Sequence, residues 1–145
     1  MTDRLVIRPA TEGDLPAIFA LYGELAKAYE NSEDNDEAWR EAWQDKRQHI
    51  LVAEQDGEVV GTLTCVIIPN LGHGGQPWAA VTNVVVAAAH RGQGIGTALM
   101  AEATRLAKAA NCYKIVLSSN LVRTEAHEFY RRLGWRQTHI GFSLE

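Results

Sequence analysis

A run of valines that leads directly into a glycine-rich turn and a helix is the feature that most constrains this chain. The valines at 84–86 are β-branched, which favours a buried strand. Glycines stand at 92, 94 and 96, and apolar residues then recur at helical spacing up to position 110. The first amides of such a helix have no partner within it and lie at the positive end of its dipole. The stretch therefore predicts a strand–turn–helix unit that binds an anion, most often a phosphate.

The residues of the turn narrow the choice of anion. A Walker A loop, which binds nucleoside triphosphates, needs Lys followed by Ser or Thr after its last glycine, but Ile95 and Gly96 stand there. A dinucleotide site needs a third glycine where Thr97 stands and an acidic residue after the next strand, where Ser118 and Ser119 stand. Both common nucleotide sites are therefore disfavoured.

Length and composition predict one α/β domain over residues 1–145. The net charge of −4 and the absence of a basic block in the sequence argue against nucleic-acid binding. The apolar runs are too short to span a membrane, and the first residues do not resemble a signal segment, so we expect a cytoplasmic protein. Cys65 and Cys112 are not at metal-ligand spacing, so we expect two buried or half-buried thiols and no metal site.

Hydrophobic patterning predicts the element order β-α-α-β-β-β-α-β-α-β. The first strand ends at Pro9, and Thr11 with Asp14 form a capping-box entry to the first helix. Asp56-Gly57 predicts a tight hairpin within an antiparallel meander of strands two to four. The remaining elements are predicted at 37–48 (helix), 49–54, 58–69 and 78–86 (strands), 95–110 (helix), 114–119 (strand), 123–133 (helix) and 135–144 (one or two closing strands).

Two segments together resemble the signature of a known superfamily. The spacing Arg91-x-x-Gly94-x-Gly96 is similar to the Q/R-x-x-G-x-G/A motif of the GCN5-related N-acetyltransferases (GNAT). A later segment resembles the family's closing helix, A-x-x-F/L-Y-x-x-x-G-F, at Ala126, Phe129, Tyr130, Gly134 and Trp135, with Trp in place of the last Phe. The predicted element order is also that of the family. The chain is therefore identified as a member of the GNAT superfamily.

The resemblance implies a single GNAT domain whose mixed, mostly antiparallel sheet has its fourth and fifth strands splayed apart. Acetyl-CoA would lie in the gap, its pantetheine arm along the fourth strand and its pyrophosphate on the glycine-rich turn. Arg123 stands where relatives often carry Asn, which puts one coenzyme hydrogen bond in doubt, although Arg123 could reach a phosphate instead. The predicted coenzyme-binding residues are Val84, Val85, Val86, Arg91, Gly92, Gln93, Gly94, Ile95, Gly96, Thr97, Arg123 and Ala126.

The same resemblance assigns a catalytic role to one tyrosine. Tyr130 would donate a proton to the thiolate that leaves when a neutral amine attacks the thioester. A backbone amide near Val84 or Val85 would stabilise the oxyanion. The general base is open, because Thr82 and Asn83 occupy positions where the family often has Glu or Asp. Those two residues can orient water or substrate, and the candidate bases are His73, His127 and Glu24.

The predicted acceptor is a primary amine of a small molecule. The acidic segment 26–36 reads either as a solvated connection or as a wall of the acceptor site. Segments 83–86 and 112–117 look like those of glucosamine-6-phosphate N-acetyltransferases, but Thr82, Asn83 and Ser118 depart from that pattern at the acceptor site. An amino-sugar phosphate is therefore an alternative acceptor, and a coenzyme-binding regulatory module with little turnover is an alternative function. Trp39, Trp43 and the closing strands could form a homodimer interface.

Overall fold

Five strands in chain order form the sheet of the computed structural model, which describes residues 4–25 and 38–145. Four helices accompany the sheet in the described part of the chain. The elements are β1 (Leu5–Pro9), α1 (Leu15–Leu25), α2 (Ala38–Gln44), β2 (Gln48–Gln55), β3 (Glu58–Ile68), β4 (Trp78–Val86), α3 (Ile95–Ala109), β5 (Ile115–Leu117) and α4 (Thr124–Arg132). Within these ranges no helix is long and apolar enough to cross a membrane.

The sheet is mixed, as the sequence predicts. Strands β1 to β4 pair antiparallel with their neighbours, and β5 pairs parallel with β4. Asp56 and Gly57 both have positive φ, at 52° and 84°, which is the backbone of a tight two-residue hairpin with the right twist. The α/β class, the antiparallel meander and this hairpin are therefore confirmed.

The two faces of the sheet are covered by different helices. Side chains alternate between the faces of a strand, and Leu51, Leu63 and Cys65 belong to the buried cluster that α3 completes with Leu99 and other residues. A Cβ atom on Gly61 would approach Leu99 to 3.2 Å, so the absence of a side chain there lets α3 lie close to the sheet. The alternate residues of β2 and β3 therefore face the other side, on which α1 packs.

The cysteines lie where the sequence predicts. Cys65 is fully buried, Cys112 is half-buried, and both are free thiols. Burial raises the pKa of the Cys65 thiol to about 11 and also raises the pKa of Cys112. Both thiols therefore stay protonated at neutral pH and are poor nucleophiles.

A partly buried ion-pair network ties α1 to the sheet. Arg8 donates to both carboxylate oxygens of Asp14, at 2.7 and 3.0 Å, and to Glu54 at 3.1 Å. The same Asp14 carboxylate accepts the backbone N–H of Thr11 at 2.7 Å, as the predicted capping box requires. Hydrogen bonds from Arg8 lower the pKa of Asp14 to about 2.

Asp14→Asn is expected to destabilise the fold at neutral pH by about 1–2 kcal/mol, because it removes the charge that Arg8 pairs with. In the wild type the contribution of Asp14 is complete above the ordinary carboxyl pKa of 3.8 and is lost as the pH falls towards about 2. Urea unfolding at several pH values measures this. The free energy of unfolding of Asp14→Asn should fall less steeply than that of wild type as the pH decreases from 3.8 to about 2. Glu12→Gln, which alters an exposed carboxylate in the same turn, should keep the wild-type pH dependence. A variant with wild-type stability at pH 7 would contradict this role.

Three sequence predictions differ from the structure. Helix α2 ends at Gln44 rather than 48, because Asp45 accepts the amide of Arg47 in a turn and Gln48 already pairs in β2. Strand β5 spans Ile115–Leu117 rather than 114–119. The closing strands at 135–144 do not form, and residues 136–145 are exposed without helix or strand. The acidic segment 26–36, read as a possible acceptor wall, lies outside the described residues.

Candidate active site

A gap opens between β4 and β5 part of the way along the sheet. The parallel pairing joins Ala79, Ala80 and Val81 to Ile115, Val116 and Leu117, and it stops there. Strand β4 continues to Val86, so the β5-facing edge of residues 82–86 has no strand partner. Backbone N–H and C=O groups along such an edge can bind an extended ligand as an added strand would. This is the splay that the sequence predicts.

A β-bulge lies where the gap begins. The register of β4 against β3 moves from Thr64–Thr82 to Thr62–Val85, so Asn83 and Val84 together face a single residue. Asn83 has φ of +54°, a left-handed conformation that Asn adopts more readily than most side chains. This bulge was not predicted from the sequence. The signal for it was an Asn directly before three valines in a mostly apolar strand.

The glycine-rich turn after β4 is open to a ligand. Gly92 and Gly94 have φ of +78° and +82°, and a Cβ atom on either would meet nothing within 4 Å. Gly94 is the N-cap of α3, so the amides of residues 95–97 begin the helix without partners in it. Gly96 serves packing instead, because a Cβ atom there would lie 3.1 Å from the ring of Phe129 on α4. The turn thus combines free amides with space for an anion.

Two side chains hold the segment between β4 and α3. The Nε of Arg91 donates to the carbonyl oxygen of Val86 at 3.1 Å, which keeps the guanidinium against the turn. Glu24, near the end of α1, accepts the backbone N–H of Ala88 at 2.9 Å. A carboxylate from the opposite face of the sheet therefore stands two residues beyond the end of β4. Gln93 is exposed in the same turn, and Thr97 is exposed in the first turn of α3.

Helix α4 places Tyr130 on the α3 side of the sheet, packed against the buried cluster. Its ring contacts Phe129 and Trp135, with centroids 5.3 and 6.3 Å away. Burial raises the pKa of the Tyr130 phenol, and the positive charge of Arg123 opposes that effect. The phenol is therefore protonated at neutral pH, and within the described ranges no protein group hydrogen-bonds to it. A protonated hydroxyl of this kind is suited to donate a proton or hydrogen bond to a substrate.

The carboxyl ends of β4 and β5 point to the same end of the sheet, because the two strands are parallel. Arg123 is the N-cap of α4 at this end, and Ala126 is half-buried in the helix. Within the described part of the chain the Arg123 guanidinium has no ion pair. His127 is bound through its Nε2 to the carbonyl oxygen of Asn120 at 2.8 Å and so fixes the loop before the helix.

The acceptor-side residues predicted from the sequence divide into two groups. Thr82 and Asn83 are exposed at the start of the gap, and Ser118 is exposed directly after β5. Beside it, Ser119 has a buried hydroxyl for which the described residues offer no hydrogen-bond partner. His73 lies in the β3–β4 connection, at the opposite end of β4, stacked on Tyr113 at 3.8 Å. The structure therefore brings Thr82, Asn83 and Ser118 to the gap but not His73.

The concavity of about 280 Å³ near the start of β2 lies away from these residues. It is lined by Pro9, Trp43, His49, Arg105 and neighbouring side chains, and it contains none of the predicted site residues. Trp39, the other tryptophan of α2, packs edge-on against Phe19 of α1 at 6.2 Å. Within the described ranges no group of three or more His, Cys, Asp or Glu side chains is arranged to hold a metal ion.

Comparisons with known proteins agree with this geometry. The sequence profile of the acetyltransferase (GNAT) family matches residues 15–135. An aminoalkylphosphonate N-acetyltransferase of Salmonella typhimurium is 34% identical over 94% of this chain and 88% of its own length. A glucosamine 6-phosphate N-acetyltransferase of Trypanosoma brucei brucei is 30% identical over 60% of this chain and 57% of its own. The structure of a putative acetyltransferase from Agrobacterium tumefaciens superimposes with a TM-score of 0.88 and 31% identity, covering 97% of this chain and 99% of that one.

The strand gap, the open glycine turn and the protonated phenol occur together in a chain whose sequence matches one family over most of its length. The Salmonella and Trypanosoma relatives, which match 94% and 60% of this chain, are named as N-acetyltransferases. The chain therefore belongs to the acetyltransferase (GNAT) family and is an acyl-CoA N-acyltransferase.

Proposed function

We propose that this enzyme transfers the acetyl group of acetyl-CoA directly to the primary amine of a small molecule that also carries a phosphonate or phosphate group. Acetyl-CoA is supported as the acetyl donor by the unpartnered edge of β4, which runs from Thr82 to Val86 and leads into the open turn at Gly92 and Gly94. A pantetheine arm fits the edge as an added strand, and a diphosphate fits the amides at the start of α3. Arg91 and Arg123 supply positive charge at the same edge.

The chemistry that acetyl-CoA supplies is an activated acetyl thioester, and the residues of the gap provide the rest. We infer that backbone amides at the bulge of Asn83 and Val84 stabilise the oxyanion, because a fixed amide costs no reorganisation during the reaction. The phenol of Tyr130 donates its proton to the departing thiolate. Glu24 accepts the backbone N–H of Ala88, two residues beyond the end of β4, and we propose it as the group that attracts the ammonium and assists its deprotonation.

The acceptor class is inferred from the relatives together with the charges of the site. An aminoalkylphosphonate and a glucosamine 6-phosphate both combine an amine with an anionic phosphorus group, and the two relatives named for them differ in coverage. The phosphonate relative matches almost end to end, so an aminoalkylphosphonate is our first choice and an amino-sugar phosphate the second. The guanidinium of Arg123 has no ion pair among the described residues and is close enough to influence Tyr130, so it can hold such an anion through two parallel hydrogen bonds.

Thiol release from acetyl-CoA with matched amines tests the proposal. We expect 2-aminoethylphosphonate to react with a kcat/KM at least about tenfold above that of ethylamine, because only the phosphonate can accept charge-assisted hydrogen bonds from Arg123. Glucosamine 6-phosphate against glucosamine makes the second matched pair. Equal rates within both pairs would reject the phosphorus-bearing acceptor while retaining N-acetylation.

A different result would favour the alternative of a regulatory module. If acetyl-CoA raises the thermal stability of the protein but no amine releases thiol, coenzyme binding stands and turnover fails. The cytoplasmic location and the homodimer stay predictions, and thiol release does not test either of them.

A further inference from the structure

A buried hydroxyl without a hydrogen bond lies directly after β5. The Oγ atom of Ser119 is buried, and the described residues offer it neither a donor nor an acceptor. A hydroxyl that is removed from water without a partner is destabilising, so native proteins contain few of them. The described ranges contain one other buried side-chain atom of this kind, the Oε1 of Gln55 at the end of β2. Ser119 is therefore the one that borders the gap between β4 and β5.

The register of the sheet puts Ser119 across the gap from the β-bulge. Pairing of β4 with β5 ends at Val81 with Leu117. Two residues further in the same parallel register, position 119 would stand opposite Asn83, the first residue of the bulge. The strands part at this point, so the bulge and Ser119 form opposing walls of the gap. A ligand that lies along the free edge of β4 passes between them.

The Ser119 side chain belongs to the same face of the sheet as Tyr130. Ile115 and Leu117 pack against the buried cluster that α3 completes, and alternation continued from β5 puts position 119 on their side. Tyr130 packs against the same cluster from α4. Neither hydroxyl has a hydrogen-bond partner in the described part of the chain. Two unsatisfied hydroxyls therefore border one gap on one face, which indicates that a ligand in the gap satisfies both.

The chemistry of a thioester decides which way the hydrogen bond from Ser119 runs. A serine hydroxyl can donate or accept, but the reacting end of acetyl-CoA carries only acceptors, the carbonyl oxygen and the sulfur. The proposed function assigns the sulfur to Tyr130 and the oxygen to the backbone amides of the bulge. Since Ser119 faces the bulge across the gap, its hydroxyl suits the oxygen.

We propose that the Ser119 hydroxyl donates a hydrogen bond to the acetyl oxygen of acetyl-CoA, as a second donor beside the amides of the bulge. This role rests on the proposed function, because it needs the thioester to lie in the gap. When the amine nitrogen bonds to the carbonyl carbon, the π electron pair moves onto the oxygen, and the hydrogen bond to the negative charge strengthens. When the C=O bond re-forms, the C–S bond breaks and the thiolate takes the proton of Tyr130. The proton that the amine loses passes to the Glu24 carboxylate.

Kinetics of Ser119→Ala test this role. We expect kcat to fall by about a hundredfold, a usual cost of removing one oxyanion donor, while the KM for the amine and the affinity for coenzyme A stay close to those of wild type. The midpoint of urea unfolding should not fall, because the described residues give this hydroxyl no hydrogen bond to lose.

Thr104→Val is the matched control for loss of a hydroxyl. The Oγ atom of Thr104 donates to the carbonyl oxygen of Met100 within α3, at 2.8 Å, so this variant should keep the wild-type kcat. If Ser119 instead accepted an N–H of the amine, Ser119→Ala would raise the KM for the amine and leave kcat unchanged. That result, or an unchanged kcat with an unchanged KM, would overturn the proposal.

Infrared spectroscopy of bound acetyl-CoA, labelled with carbon-13 at the carbonyl, tests the contact without turnover. A hydrogen bond lowers the stretching frequency of a carbonyl, so the band should lie at higher frequency in Ser119→Ala than in wild type. If acetyl-CoA binds but no amine is acetylated, the proposed turnover fails, and the band shift still supports the contact. Identical bands in the two proteins would refute the contact, even if kcat falls.

Discussion

Replacing Tyr130 with phenylalanine is expected to lower kcat by about a hundredfold to ten-thousandfold, the usual range for loss of a general acid, with little change in the affinity for acetyl-CoA. The ring would keep its contacts with Phe129 and Trp135, so only the hydroxyl is removed. Since the described residues give this hydroxyl no hydrogen bond, the free energy of unfolding should change by less than about 0.5 kcal/mol. Steady-state thiol release and calorimetric titration with coenzyme measure the two effects separately.

The pH dependence adds a second test of Tyr130. Burial holds the pKa of its phenol above the ordinary value of 10, so the acid form persists below that pH. The ratio of wild-type to Tyr130→Phe kcat should therefore be constant from neutral to moderately alkaline pH. Tyr113→Phe is the matched control, because Tyr113 stacks on His73 at the other end of β4. Equal kcat values for wild type and Tyr130→Phe would remove this phenol from the mechanism.

Gly94→Ala is expected to weaken acetyl-CoA binding by about tenfold or more, which corresponds to roughly 1.4 kcal/mol. The new methyl group would project into the open space of the turn, and the positive φ of +82° would become strained. Both effects move the amides at the start of α3 away from the position that receives the diphosphate. Calorimetry with coenzyme A and with acetyl-CoA should show the same loss for both ligands, because the acetyl group lies elsewhere.

Gly75→Ala separates backbone strain from ligand binding. Gly75 has φ of +83° and equally open surroundings, but it lies in the β3–β4 connection at the far end of β4. Both variants should lose about 1 kcal/mol of stability through strain in the left-handed region. Only Gly94→Ala should lose coenzyme affinity. Equal affinity in the two variants would show that the turn does not hold the diphosphate.

The predictions from sequence succeeded where local chemistry decides the structure. Asp56-Gly57 predicted its hairpin because few residue pairs accept two positive φ angles in succession. Thr11 and Asp14 predicted the capping box because the hydrogen bond spans only three residues. Helix α4 ends before Gly134 for the same kind of reason. In each case the determining contact lies within a few residues along the chain.

The predictions from sequence were less accurate where contacts between residues far apart in the chain determine the structure. His73 was a candidate base by its chemistry, but the strand direction puts it at the far end of β4, against Tyr113. The contact between Glu24 and Ala88 joins residues 64 positions apart, which no spacing rule reveals. The closing strands were predicted from alternation alone, yet a strand also has to pair with a neighbour, and residues 136–145 pair with no strand of the described sheet.

The valine strand, the glycine turn and the helix after it could be predicted from the sequence alone, because β-branching, glycine at positive φ and helical periodicity are local properties. It also carried the Arg91-x-x-Gly94-x-Gly96 spacing and Tyr130, which identified the family. The position at which β4 separates from β5 became known only from the fold: the last pair is Val81 with Leu117, and the bulge at Asn83 follows it. Strand pairing joins residues far apart in the chain, so its end point depends on the packing of the whole sheet.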